Sequence, residues 1–222
     1  LEVFGCSCCP PNVVRFIPSV SGLMYGESED TLFVHQYAAS EGHFGNTAIT
    51  QSTDYPADGA ITIRCATDKK QLALRIPGWC NRFELNHPYT LKDGYAYIEL
   101  SGETEVRLNL DMPVTAVVAN RQVHDCAGRV AVTRGPVVYC IEGVDNGGDL
   151  KAVAIDPKGG FALSDREFLL PSITTTGYRP AASEALYAPA GDDYEPIPLR
   201  LIPYYAFANR GTTEMHVWLL RK

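Results

Sequence analysis

The sequence predicts an all-β chain: two consecutive antiparallel β-sandwich domains preceded by a short helical segment. Three observations carry that reading. From Thr31 onward, apolar and polar residues alternate in short stretches, the period of a half-buried strand. Turn pairs return about every ten residues, as Asp58-Gly59, Pro77-Gly78, Asp93-Gly94 and Ser101-Gly102, a spacing that points to a sandwich or barrel. The 15 prolines and 19 glycines are spread along the whole chain, which suits many short elements joined by turns. With 222 residues, 45% of them hydrophobic, the chain can fill one large or two small cores.

The first element is a helix. Residues 11–25, PNVVRFIPSVSGLMY, place Val13, Val14, Ile17, Val20 and the Leu23-Met24 pair close to helical spacing, and Pro10 and Pro11 fit its first turn. Pro18 is expected to kink or interrupt it, and the polar run GESED at 26–30 to close it. Six alternating stretches follow: TLFVHQYA (31–38), AITIRCA (60–66), QLALRI (71–76), RFELN (82–86), GYAYIEL (94–100) and EVRLNL (105–110). The inward set is Leu72, Leu74 and Ile76 in the third. In the last it is Val106, Leu108 and Leu110, which leaves Glu105, Arg107 and Asn109 in water. A second series begins after VTAVVANRQVHD (114–125): GRVAVTR (128–134), PVVYCIE (136–142), LKAVAI (150–155), PLRLIPYYAFA (198–208) and EMHVWLL (214–220). Residues 156–196 show little alternation and read as long loops, with one short strand around Phe168–Leu170. The sandwiches are placed at 31–120 and 121–222, behind a helical segment at 1–30. A single continuous sandwich of roughly 190 residues is the alternative.

Charge narrows the partners. The 19 Lys and Arg residues are scattered and the formal net charge is −7, which argues against nucleic acid or an anionic membrane and suits a neutral ligand such as a sugar. No apolar run approaches the ~20 residues of a membrane span. The chain opens at Leu1 without Met or a basic-then-apolar leader, so it is expected to be a processed or truncated piece of a larger enzyme. Of the seven cysteines, Cys65, Cys126 and Cys140 sit in apolar strand-like settings and read as buried, inert thiols. Cys80 follows Trp79 at a strand end, where a disulfide stays open. No disulfide framework is visible.

The chemistry concentrates at the other three. Cys6, Cys8 and Cys9 run straight into Pro10-Pro11-Asn12. Three thiols within four positions are poor core filler, and adjacent cysteines bond to each other only under strain. Metal ligation, redox work and catalysis remain. Cys6 and Cys9 have C-x-x-C spacing but no βαβ context, which disfavours a thioredoxin-like role. A helix starting at Pro10 or Pro11 puts Cys8 and Cys9 at its amino end, where unpaired N–H groups and the macrodipole favour a thiolate. Zinc usually takes four ligands and no second cluster follows, so further ligands would come from sequence outside this chain.

Six segments together resemble glycoside hydrolase family 127: CCPPNVVRFIPS, TLFVHQY, LALRIPGW, RVAVTRGPVVYCIEGVDN, IPYYAFANRG and MHVWL. CCPPN and RGPVVYCIE are the most specific, and the resemblance runs from Cys8 to Leu219. The family is mainly bacterial, its best-known members are β-L-arabinofuranosidases, and its fold is an (α/α)6 barrel followed by two β-sandwiches. The resemblance implies that residues 1 to about 30 end the helical barrel, with the middle and carboxy-terminal sandwiches after it. It implies Cys8 as nucleophile and zinc ligand and Cys9 as a second zinc ligand, with Cys6 in the same pocket region. The family's zinc glutamate, its remaining zinc cysteine and its general-acid glutamate belong upstream of this chain, and Glu2 fits no family motif. The implied reaction is retaining hydrolysis of an arabinofuranose-containing glycan through a thioglycosyl intermediate. The isolated chain is then expected to be inactive. A non-catalytic carbohydrate-binding or scaffold module, or a zinc-stabilised structural protein, are the alternatives. A homodimer is open, and either bacterial cytoplasm or periplasm is compatible with metal-held thiols.

Other residues have plainer readings. Arg15 lies about one turn past the cysteine pair and either shapes the pocket or caps the helix. His35 and Tyr37 are expected to pack or face solvent, and Trp79 to pack between sheets. Tyr204, Tyr205 and Phe207 are expected to divide between core and interdomain contact. Asn209-Arg210-Gly211 reads as a turn with Gly211 at positive φ, and Arg134-Gly135-Pro136 as a strand break. Gly191-Asp192-Asp193 reads as a solvated loop, with Ca²⁺ as the lesser alternative.

Overall fold

The computed structural model describes residues 8–164, 166–181, 185–187 and 194–222. Glu2, Cys6 and the Gly191-Asp192-Asp193 run lie outside the described residues. The chain divides into two compact units between Asp111 and Met112.

The first unit opens with α1 (Cys9–Ser19) and a 3-10 turn over Val20–Leu23. Pro18 has no N–H to give to the preceding turn, and the Val20 N–H bonds Ile17 O, so the α-helix tightens and ends. Ten strands follow: β1 (Tyr25–Glu27), β2 (Thr31–Val34), β3 (Ser40–Phe44), β4 (Thr47–Thr53), β5 (Ala60–Ala66), β6 (Gln71–Arg75), β7 (Phe83–Leu85), β8 (Thr90–Lys92), β9 (Tyr95–Glu99) and β10 (Thr104–Leu110). They form two five-stranded sheets, β1-β2-β6-β9-β8 and β3-β4-β5-β10-β7. Leu32, Val34, Ile61, Ile63, Leu72, Leu74, Ile98, Val106, Leu108 and Leu110 make one continuous core. The expected inward sets of β6 and β10 are therefore correct, except that Ile76 lies past the end of β6 and is only half-buried.

Several expectations need correction. Antiparallel pairing is not universal, because β2 and β6 run parallel. The chain leaves the first sheet after β2, builds β3, β4 and β5 in the second, and returns in the original direction, which only a crossover permits. GESED is not wholly a turn: Gly26 and Glu27 belong to β1, which pairs with β2. β3 and β4 escaped the hydrophobic pattern because β4 buries Thr47, Ile49 and Gln51, two of them polar. Burial of Gln51 is offset in part by hydrogen bonds from Nε2 to Tyr25 Oη (2.9 Å) and Gln36 O (3.1 Å), while its buried Oε1 has no hydrogen-bond partner among the described residues. The Asp93-Gly94 turn is a two-residue hairpin loop between β8 and β9, with φ of 50° and 80°, the pairing that matches strand twist.

The second unit contains β11 (Val114–Val117), β12 (Arg129–Arg134), β13 (Val137–Glu142), the short α2 (Gly143–Asn146), β14 (Ala154–Ile155), β15 (Ala162–Leu163), β16 (Ile173–Pro180), β17 (Tyr194–Pro203), β18 (Met215–His216) and β19 (Leu219–Arg221). Val114–Val117, assigned to the middle sandwich on the sequence, hydrogen-bonds to β12. The pairings β12–β13–β17–β16–β14–β19–β12 close on themselves around Val130, Val132, Tyr139, Ile141, Ile155, Ile173, Leu199 and Leu201. β14 and β19 are parallel. The supposed loop 156–196 contains the eight-residue β16, which pairs with β17 along its whole length. Its buried positions include Ile173 and Gly177, and a glycine gives no apolar signal. Phe168 and Leu170 share only an isolated bridge.

One end of this unit is held by ions. Glu142 ends β13 with a fully buried side chain. Arg210 donates to Glu142 Oε2 (2.7 Å) and bridges both oxygens of Asp145 (2.8 and 2.5 Å), while the Ala208 N–H donates to Glu142 Oε1 (2.8 Å). Arg200 adds a 3.2 Å contact to Asp145 and a 2.5 Å contact to Glu167. Asn146 Nδ2 donates to the carbonyls of Glu142 and Arg200, and its Oδ1 accepts the Arg200 N–H. Arg210 is thus the anchor of the Asn209-Arg210-Gly211 turn, whose Gly211 does adopt positive φ (112°). Hydrogen bonding to Arg210, and then charge from Arg210 and Arg200, hold the Asp145 carboxyl below its ordinary range.

Removing one partner of such a pair leaves buried charge unmatched. Arg210→Met should therefore cost the second unit about 3 kcal/mol or more in urea unfolding, and Arg210→Lys should recover little, because an ammonium cannot fork between two carboxylates. A depressed carboxyl stabilises the fold above its unfolded value and loses that contribution as pH falls through the folded one. The wild-type melting temperature should accordingly drop below about pH 4, more steeply than that of Asp145→Asn. In the first unit, a Cβ on Gly59 would lie 1.9 Å from Leu110 O, the residue whose N–H bonds Gly59 O at 2.9 Å. Gly59→Ala should cost about 1–3 kcal/mol in the same assay.

Candidate functional site

The thiol pair stands where the sequence placed it. Cys8 is the N-cap of α1 and Cys9 the first helical residue, with prolines in the turn that follows. Cys8 has helical backbone angles (φ −68°, ψ −39°) and no side chain caps the helix, so the amino end is not closed by a Ser, Thr, Asp or Asn oxygen. Both cysteines are exposed and outside any disulfide, and their sulfurs lie 3.7 Å apart. That separation is far from a disulfide bond. It matches the edge of a zinc tetrahedron, about 3.8 Å for Zn–S bonds near 2.3 Å. Cys8 and Cys9 thus fit as two ligands of one ion. Among the described residues no group of three or more His, Cys, Asp or Glu side chains could hold a metal.

The helix that carries the pair presents apolar residues to solvent: Val13, Val14, Phe16 and Ile17 are exposed, and no residue of α1 is buried. Arg15 donates to Asn12 Oδ1 at 2.5 Å, one turn back on the same helix, and Ser19 Oγ donates to Arg15 O. The Arg15 guanidinium is therefore engaged within α1, through Asn12.

The remaining candidates resolve as structure. Tyr37 is buried, donates to Arg75 O (2.6 Å) and meets Tyr55 edge-on, and desolvation pushes its phenol far above the usual range. His35 is half-buried, with Nδ1 2.8 Å from Tyr95 Oη and its ring stacked on Phe33. Trp79 packs against the first core. Cys65 and Cys140 are buried, and burial raises their thiols to about 11 and about 12, as inert sulfur requires. Cys126 departs from expectation, being half-buried at the end of a 3-10 turn (His124–Cys126) and not in a strand. Cys80 is a free thiol, its Sγ donating to Arg82 O at 3.0 Å. Tyr204, Tyr205 and Phe207 are exposed, not core, because residues 204–206 form a 3-10 turn that buries only Ala206. Tyr205 donates to Phe168 O. Among the described residues no helix is long and apolar enough to cross a membrane.

Sequence reading missed the ion cluster of Glu142, Asp145, Arg200 and Arg210. A signal existed: Glu142 and Asp145 follow an apolar strand directly, three residues apart on the chain, where a lone acidic pair would be costly without cations.

Known proteins share this architecture. The sequence model of the "Beta-L-arabinofuranosidase, GH127 middle domain" matches residues 31–114, and that of the "Glycoside hydrolase family 127 C-terminal domain" matches residues 114–220. A curated non-reducing end β-L-arabinofuranosidase from Bifidobacterium longum subsp. longum is 38% identical over all of this chain, which spans 38% of that protein's length. The crystal structure of a GH127 β-L-arabinofuranosidase from Geobacillus stearothermophilus T6 superposes with a TM-score of 0.87 at 36% identity, covering 99% of this chain and 38% of the other. A further GH127 β-arabinofuranosidase gives 0.84 at 32% identity, covering 99% and 39%. With the helical start, the two all-β units and both domain matches in agreement, this chain belongs to glycoside hydrolase family 127 and comprises its middle and carboxy-terminal domains.

Proposed function

We propose that this chain is the carboxy-terminal part of a retaining glycoside hydrolase that releases β-L-arabinofuranosyl units, with Cys8 as nucleophile. The observation that carries the reading is the exposed pair of neighbouring sulfurs at the start of α1, in a chain of this family. The substrate class rests on the relatives, which are named as β-L-arabinofuranosidases.

In the proposed reaction, Cys8 Sγ attacks the anomeric carbon from the face opposite the leaving group. A C–S bond forms as the C–O bond breaks, and the departing oxygen takes a proton from an acid in the remainder of the parent enzyme. Water then attacks the same carbon, gives up its proton to that group, and the C–S electrons return to sulfur. Two inversions at one carbon leave the configuration retained. Cys9 supplies a second sulfur, 3.7 Å from that of Cys8, within reach of the same ion. A bound zinc ion would keep both sulfurs in their anionic form. Because the chain spans 38% of the curated relative, the acid and the other ligands are assigned to the rest of the parent, and the chain alone is read as inactive.

In the full-length parent, Cys8→Ser should lower turnover of an aryl β-L-arabinofuranoside by about 10³-fold or more with the circular dichroism spectrum unchanged. Activity within tenfold (about 1.4 kcal/mol) of wild type would remove Cys8 as nucleophile. Cys9→Ser should lower the zinc bound per chain, measured by atomic emission, along with activity. Full zinc occupancy in that variant would remove Cys9 as a ligand.

A further inference from the structure

The outer face of the second sheet of the first unit holds a groove that the thiol chemistry does not use. There β10 lies between β5 and the edge strand β7, and the register sets Asn109 opposite Ala60 on one side and Glu84 on the other. The next outward row pairs Arg107 with Thr62, and Asn86 closes it by accepting the Arg107 N–H on Oδ1 at 2.7 Å. Ala60 is too short to fill its place, so a hollow of about 340 Å³ opens over it, lined by Thr62, Glu84, Asn86, Arg107 and Asn109. A second hollow of about 590 Å³ shares Glu84 and Asn109 and continues past Asn81 and Phe83 to Tyr89. The shared pair makes them one groove along β7.

Its walls have a definite chemistry. Tyr89 is 46% exposed, and its ring is held 5.2 Å from that of Phe83, so an aromatic wall stands at one end without needing a ligand to order it. Both cations are already paired: Arg82 makes two hydrogen bonds to Asp111 Oδ2 (2.9 and 2.6 Å), and Arg107 makes two to Glu105 Oε1 (2.9 and 2.6 Å), while Arg64 takes the other Glu105 oxygen (2.8 Å). The side chains of Asn81, Glu84 and Asn109 make no protein hydrogen bond among the described residues. The Glu84 carboxylate disfavours a phosphate or a polyanion, and the two neutral amides each offer a donor and an acceptor. They match vicinal hydroxyls, which donate and accept together, while an aromatic face takes the C–H side of a sugar ring.

We infer that this groove is a non-catalytic binding site for a neutral oligosaccharide, with Tyr89 against one sugar ring and Asn81, Glu84 and Asn109 on its hydroxyls. The choice of sugar as ligand rests on the proposed carbohydrate activity; the groove itself contains none of the thiol residues.

The test is titration of the 222-residue chain with linear arabino-oligosaccharides at millimolar concentration, followed by calorimetry and by amide chemical shifts, with xylo-oligosaccharides and heparin alongside. The inference expects binding of a neutral oligosaccharide and none of heparin. Tyr89→Ala and Asn109→Ala should each weaken it about tenfold, with unchanged melting temperatures, while Cys8→Ser leaves it intact. Absence of binding to every neutral oligosaccharide, preference for heparin, or equal affinity in the groove variants would overturn it. A parent enzyme that hydrolyses its substrate while this chain binds no sugar would sink the groove and leave the Cys8 reading standing.

Discussion

A fully buried carboxylate must be matched by charge, and in the second unit Glu142 is matched by Arg210. That requirement organises the whole end of the unit. β13 delivers Glu142 out of the apolar core, α2 turns Asp145 toward the same guanidinium, and Ala208 adds its backbone N–H to the carboxylate. Asn146 ties α2 to β17 in both directions, and the Phe168 ring lies 5.1 Å from the Arg210 guanidinium and 6.0 Å from that of Arg200. Apolar packing around Tyr139 and Ile141 accounts for the strands, while the ions, the Tyr205 bond to Phe168 O and the burial of Ala206 against Cys140 and Ile202 fix how 204–211 returns over their ends. Buried charge used this way fixes an arrangement more than it adds stability.

Strands with clean alternation could be read directly. AITIRCA became β5 with both ends correct, and EVRLNL gave the buried face of β10 residue by residue. Where inward positions are polar or lack a side chain, the pattern vanishes: β4 buries Thr47 and Gln51, and β16 buries Gly177. Hydrogen bonds take the place of hydrophobicity at Gln51, and hydrogen bonds have no period. The ion cluster was hidden for another reason. Arg210 meets Glu142 across 68 positions of sequence, and nothing local to an Asn-Arg-Gly turn distinguishes an anchor from an exposed loop.

The helix start beside the thiol pair was legible because prolines mark it without help from tertiary contacts. Adjacent residues inside a helix point about 100° apart, so neighbouring cysteines would not ordinarily converge. At the N-cap boundary they do, with 3.7 Å between sulfurs. A single short segment can therefore bring two sulfurs together at the spacing of a tetrahedron's edge. The same helix exposes Val13, Val14, Phe16 and Ile17, apolar surface that an eleven-residue helix does not display as a stable isolated element.

The parallel contact between β2 and β6 governs the order in which the first unit can assemble. β2 has no neighbour on that side until Gln71–Arg75 arrives, after the whole excursion through β3, β4 and β5. A hairpin closes locally, whereas this pair must wait for a loop of roughly three dozen residues to be ordered, and that loss of entropy comes before any contact offsets it. Assembly of this unit should consequently be slow relative to its size, with the local hairpins β1–β2, β3–β4 and β8–β9 able to close before the long-range pair does.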